Sequence, residues 1–212
     1  MTHPHETFDD QDVFALHRLM RWRRDVRHFR TDSIDEAVIA RLHAAMELAP
    51  SVGNARPWRV IRVENAELRR EVRDDFKRCN ADAAASYSGQ KREEYLQLKL
   101  AGLEKAPLQL AVFTVSDPDE GHTLGRRTMP DALQASTHMA IHALWLAARV
   151  ENLGLGMVSI LDPMVMEQLL DCPKDWRFSV YLCIGYPEFN DDTPLLHRVG
   201  WQENHLHPWE TR

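Results

Sequence analysis

Apolar residues recur at helical spacing between Asp12 and Trp22, at Val13, Phe14, Leu16, Leu19 and Met20, so the periodicity predicts an opening helix. Behind it, Ser33-Ile34-Asp35-Glu36 has the S-x-x-E form of a capping box. Ile34, Val38, Leu42, Ala45, Met46 and Ala49 mark one face of a second helix, which Pro50 ends. After the loop Ser51-Val52-Gly53-Asn54-Ala55-Arg56-Pro57, the β-branched run Trp58–Val63 reads as a strand. Ala66–Lys77 and Lys91–Lys105 read as charged, exposed helices joined by the small-residue stretch 81–89, a region suited to a mobile cover. Leu108–Val115 is an apolar run of strand length closed by the turn signal Ser116-Asp117-Pro118-Asp119. The longest pattern, Pro130–Glu151, is nearly continuous in Ala, Leu, Ile and Trp and reads as a largely buried helix. Met157–Leu161 and Val180–Ile184 read as core strands, with Asp162-Pro163 between them as an N-cap followed by Pro at the first helical position. The order mixes α and β without the regular alternation of a doubly wound sheet.

Composition adds that the 212 residues, 44% apolar and 27% charged, suffice for one core, and no repeat or linker divides them. Residues 1–212 therefore read as a single domain with a polar tail at about 188–212 that carries Trp201 and Trp209. The longest uncharged stretch, Ala132–Ala148, includes Gln134, Ser136, Thr137, His138 and His142, so no membrane span is expected. The first twelve residues lack the form of a secretory signal or an Arg-rich transit peptide, which makes the cytoplasm the expected compartment. Three cysteines, Cys79, Cys172 and Cys183, show no C-x-x-C spacing, against a disulfide framework or a zinc site.

The net charge of −6 disfavours a nucleic-acid surface, yet the cations are unevenly placed. Of 26 basic residues 21 are Arg, and Arg21, Arg23, Arg24, Arg27 and Arg30 fall within ten positions. Guanidinium forks hold phosphate bidentately, so the cluster suggests an anion site, its plain alternative being a solvated, salt-bridged stretch. Asp25 in its midst is an acceptor, of hydrogen bonds or of a proton, and not an acid. Gly154-Leu155-Gly156-Met157-Val158-Ser159 opens like a dinucleotide fingerprint, but Ser159 replaces the third glycine and strand follows, which rejects a Rossmann reading. Its two glycines would let a flat ring approach the backbone, or merely form a helix-to-strand turn. His138 and His142 have metal-ligand spacing without a carboxylate partner and fall on a polar stripe with Gln134 and Arg149, so no metal is expected.

From about Arg21 to Tyr186 the chain resembles the nitroreductase-like flavoprotein superfamily. The likeness is carried by Arg23-Arg24-Asp25-Val26-Arg27, Ala49-Pro50-Ser51-Val52-Gly53 and Ala55-Arg56-Pro57-Trp58. It continues through Leu98-Lys99-Leu100, Lys105-Ala106-Pro107, Leu144–Arg149 and Gly154-x-Gly156-x-Val158-Ser159-Ile160. Within the superfamily it is most similar to the BluB-type synthases of 5,6-dimethylbenzimidazole, because Asp25 stands where ordinary nitroreductases usually carry Ser. Ser86-Tyr87-Ser88-Gly89 to Lys105 also resembles their lid, placed at about 74–105. The resemblance implies an α+β nitroreductase-like fold with a central mixed sheet flanked by helices, and a homodimer with an FMN site at each subunit junction. The C-terminal tail would embrace the partner. It implies that reduced FMN is the substrate and molecular oxygen the co-substrate. The products would be 5,6-dimethylbenzimidazole, the lower ligand of vitamin B12, and erythrose 4-phosphate.

Carried over by residue, Arg23, Arg24 and Arg27 would hold the phosphate and the pyrimidine side, with Val26 between them. Asp25 would support proton transfer at the ribityl carbon, and Ser159 would hydrogen-bond the ring edge. Ser51 would be a further flavin contact, and Met157 and Val158 would wall the ring. A separate flavin reductase would supply reduced FMN; nucleic acid, membrane and metal are not expected. Rival readings are an NAD(P)H-dependent nitro or flavin reductase that retains FMN, and a flavin-binding module without catalysis.

Overall fold

A computed structural model describes residues 7–98 and 101–212. Helix α1 (Asp10–Trp22) starts from a capping box in which Asp9 and Asp12 accept each other's backbone N–H groups. Helix α2 (Glu36–Glu47) is capped by Asp35, which accepts the Ala37 N–H at 2.7 Å. The Ser33 box expected from the sequence does not form, because Ile34 turns into the core and leaves Asp35 at the boundary. Strand β1 (Trp58–Arg62) follows, then α3 (Ala66–Ala85) and α4 (Gly89–Gln97). Of the small-residue stretch 81–89, residues 81–85 continue α3, because alanines are strong helix formers, and the joint proper is Ser86-Tyr87-Ser88. Helix α4 ends at Gln97, short of the expected Lys105, and Lys99 and Leu100 of the family motif lie outside the described residues.

Strand β2 (Leu108–Val115) leads to α5 (Ala132–Val150), β3 (Gly154–Val158), α6 (Pro163–Leu169), β4 (Trp176–Gly185) and a short α7 (Leu195–Arg198). Asp162 caps α6 as expected, accepting the Met164 N–H at 2.9 Å with Pro163 at the first helical position. The sheet order is β1-β2-β4-β3, and all three pairings are antiparallel. This corrects the mixed sheet: β2 and β3 run the same way, but β4 lies between them and runs opposite to both. The parallel element is a single bridge, Asp25 to Leu155, outside the β3 edge.

Helices α2 and α5 cover one face of the sheet through Leu42, Met46, Ile141, Leu144, Val112 and Leu182. Helices α3 and α6 cover the other through Val72, Met166, Phe113, Val158, Tyr181 and Cys183. Strand β2 is therefore buried along nearly its whole length, which explains its unbroken apolar run. Among the described residues no helix is long and apolar enough to cross a membrane, and no group of three or more His, Cys, Asp or Glu can hold a metal ion.

The thiols follow from this packing. Burial pushes Cys183 up to about 12, and burial with Glu167 and Asp171 nearby pushes Cys172 up to about 11. Native protein treated with iodoacetamide at about pH 8 is expected to leave Cys183 unmodified, whereas guanidinium-unfolded protein alkylates it fully, as read by peptide mass spectrometry. Rapid native modification of Cys183 would contradict its place in the core.

Candidate active site

Beyond α1 the chain does not turn away from the sheet but lies along its β3 edge. Val26 N–H donates to Leu155 O at 3.1 Å beside the Asp25–Leu155 bridge. Four residues on, the Arg30 N–H donates to Tyr186 O at 2.9 Å, and the Glu188 N–H to His28 O at 3.0 Å. This close approach is what Gly154 and Gly156 permit: a Cβ on Gly156 would overlap the Val26 carbonyl oxygen, and one on Gly154 would press on the Val26 side chain. The glycines thus admit the chain's own segment at Val26 against β3.

The result is a fixed carboxylate. Asp25 Oδ1 accepts the Met157 N–H at 3.0 Å, while Oδ2 accepts from Arg27 Nε at 2.7 Å. The Arg27 and Asp25 side chains keep 13% and 30% exposure, so the pair is oriented yet still open to a ligand. It lines a cleft with Arg24 and Val26 on one wall, and with Phe189, Leu195 and Arg198 on the other. Four guanidinia (Arg24, Arg27, Arg149, Arg198) and two carboxylates (Asp25, Asp191) face this space, an excess of cations suited to a phosphate-bearing ligand. Apolar surface from Trp22, Val26 and Phe189 adjoins it, as a planar ring requires.

The five clustered arginines divide their work. Arg24 lines the cleft while its Nε and Nη2 donate to Arg21 O at 2.9 Å and Met20 O at 2.8 Å, closing the end of α1. Arg21 pairs with Asp192 at 2.6 Å and Arg30 with Asp32 at 2.8 Å, both outside the cleft. The Arg23 guanidinium lies 4.4 Å from the Trp145 ring centroid, and burial, reinforced by Arg24 and opposed by Asp25, lowers its pKa. Of the expected flavin contacts, Arg24, Asp25, Val26 and Arg27 therefore share one cleft, with half-buried Met157 tied to it through Asp25.

The others stand elsewhere. Ser159 is exposed just past the end of β3, and the Val158 side chain is buried among Phe29, Phe113 and Tyr181. Ser51 sits in the loop before β1, at the opposite edge of the sheet, where its Oγ accepts the Arg56 N–H at 3.0 Å. That loop holds Gly53, Asn54 and Arg56 at positive φ, backbone strain of the kind concentrated in binding loops.

Several cleft residues are not singled out by the sequence, Arg198, Phe189 and Arg149 among them. Arg198 pairs with Asp191, and Phe189 meets the His28 ring at 5.5 Å. Arg149, assigned above to a surface stripe, instead donates to Asn190 Oδ1 at 2.7 Å, and burial lowers its pKa. The available signal was the Asp191-x-Thr193 turn before Pro194, where the Thr193 N–H donates to Asp191 Oδ1 at 3.0 Å and fixes the opposite wall.

The model of the Nitroreductase family matches residues 20–186. A 5,6-dimethylbenzimidazole synthase of Rhodobacter capsulatus is 64% identical over 97% of this chain and 99% of that protein. Another, of Rhodospirillum rubrum, is 51% identical over 95% of each chain. Among solved structures, an iodotyrosine deiodinase bound to FMN and 3-iodo-L-tyrosine superposes with a TM-score of 0.72 at 23% identity, covering 93% of this chain and 97% of that one.

Proposed function

Since the chain belongs to the nitroreductase family, we propose that it acts as a 5,6-dimethylbenzimidazole synthase of cobalamin biosynthesis, taking reduced FMN and molecular oxygen. The full-length likeness to synthases of this activity carries the reading, and the Asp25 cleft supports it. Reduced FMN, delivered by a separate flavin reductase, supplies the electrons for oxygen and the ring that becomes the product.

The chain's residues have separable tasks. Arg24, Arg27 and Arg198 hold the phosphate, with Arg198 exchanging Asp191 for the ligand. Arg23 braces this wall from its stack on Trp145. Asp25, held at both oxygens, accepts a proton at the ribityl carbon next to the ring. Met157 and the backbone at Val158 form the ring's floor, and Ser159 donates a hydrogen bond to its edge. These positions leave Ser51 remote from its own cleft, so it reaches flavin across a subunit junction. Helix α1 supports that homodimer: it buries none of its residues, yet Val13, Phe14, Leu16 and Met20 are exposed and apolar.

The deciding assay is aerobic incubation of the purified protein with chemically reduced FMN, followed by chromatography and mass spectrometry. Oxygen-dependent 5,6-dimethylbenzimidazole is expected; full recovery of intact FMN would favour a reductase that retains its flavin. Light scattering should give the mass of two 24.5-kDa chains. Phe14→Asp should shift this to one chain and abolish product. A wild-type monomer with full activity would refute the junction site.

A further inference from the structure

The C-terminal tail meets the α3–α4 hairpin at Trp201. Tyr87, between the two helices, stacks on Tyr95 of α4 with ring centroids 5.0 Å apart. Trp201 stands edge-on to Tyr87 at 5.6 Å and lies 6.1 Å from Tyr95. Lys91 Nζ is 3.7 Å from the Trp201 ring centroid and 3.4 Å from its carbonyl oxygen. Tyr95, the one buried residue of α4, donates its hydroxyl to Asn80 Oδ1 at 2.6 Å and so ties α4 back to α3. With a single residue of its own in the core, α4 depends on this aromatic cluster for its position.

Both ends of the hairpin are tied to chain segments that also supply cleft residues, Phe29 and Glu188 being the chain neighbours of His28 and Phe189. At its root, Gly102 packs against the Phe29 ring so closely that a Cβ would overlap it, and Lys105 pairs with Glu188 at 2.8 Å. Near its tip, Trp201 is fixed to α7 by its N–H, which donates to Leu196 O at 2.9 Å, three residues beyond Arg198 in the cleft. One short segment thus carries a cation into the cleft and an aromatic anchor onto the hairpin.

We infer that Trp201 is a positioning residue for the reaction: it clasps α4 so that the hairpin stays shut beside the cleft while reduced flavin meets oxygen. The inference rests on the cleft being the reduced-FMN site. An open hairpin admits water, and reduced FMN then passes two electrons and two protons to oxygen, giving oxidised FMN and hydrogen peroxide in place of product.

The test uses the full chain as wild type, Trp201→Ala and Trp201→Phe. Without flavin, hydrogen exchange in peptides covering residues 86–97 should be about tenfold faster in Trp201→Ala and close to wild type in Trp201→Phe, which keeps an aromatic ring on the two tyrosines. With reduced FMN in air, the ratio of 5,6-dimethylbenzimidazole to hydrogen peroxide should fall about fivefold or more in Trp201→Ala and recover in Trp201→Phe. Unchanged exchange in Trp201→Ala would overturn the clasp, whatever the wild type produces. Faster exchange with an unchanged ratio would overturn its role in the reaction. Wild type lacking product altogether would count against the cleft reading, and the exchange result would still decide the clasp.

Discussion

Asp25→Asn is expected to lower 5,6-dimethylbenzimidazole formation by about two to four orders of magnitude while reduced FMN still binds. The asparagine keeps an oxygen for the Met157 N–H, so the segment remains seated on β3. Its NH2 group, however, takes the place of Oδ2 opposite Arg27 Nε, setting two donors face to face and removing the proton acceptor. Arg24 and Arg198 are untouched, which is why anaerobic binding, followed by flavin fluorescence, should change far less than turnover. Asp25→Ser, the residue usual in ordinary nitroreductases, should likewise return FMN intact. Substantial product from Asp25→Asn would rule out the proton-transfer role and leave Asp25 as an orienting group for Arg27.

How far this site could be read from the chain alone depended on whether its residues share a local period. Helices α2 and α5 and strand β2 announce themselves because each buries a regular stripe or an unbroken run, and α1 because its apolar residues keep helical spacing although none of them is buried. Strand β3 was expected to begin at Met157 and begins at Gly154, since glycines chosen for closeness to Val26 leave no apolar pattern. Strand β4 starts at Trp176, four residues before the expected Val180, because its first residues mix polar and aromatic side chains where the strand runs past the end of β3. Arg23, Arg24 and Arg27 looked equivalent in sequence; tertiary partners separate them, sending Arg23 to Trp145 and leaving the other two at the cleft. Arg198 and Phe189 were illegible for a related reason. The wall they build is held by contacts such as Arg21–Asp192, whose members are 171 positions apart, and no local spacing encodes such a pairing. Asp25 was legible as an ionised acceptor among guanidinia and, through family likeness, as a site residue; the partner that fixes it, Met157, is 132 positions away.

That long-range seat makes the second prediction sharp. Gly156→Ala is expected to cost about 1–3 kcal/mol and to abolish most product formation, because the new Cβ would meet the Val26 carbonyl oxygen, a backbone atom that no rotamer change can move. For a chain of this size such a loss lowers the melting temperature by roughly 2–4 °C per kcal/mol. The only relief is to lift residues 25–27 from β3, which withdraws Asp25 from the Met157 N–H and opens the cleft wall. Gly154→Ala provides the control within the same strand, since its Cβ would meet Val26 Cγ2, Cβ and Cγ1 at 2.7, 2.8 and 2.9 Å, and two of these are removable. Val26→Ala should therefore partly restore stability and product to Gly154→Ala but neither to Gly156→Ala. Thermal unfolding and product yield on the four variants measure both effects. If Gly156→Ala melts with the wild type and still makes product, the carboxylate is not positioned by β3, and the task of orienting it falls to Arg27.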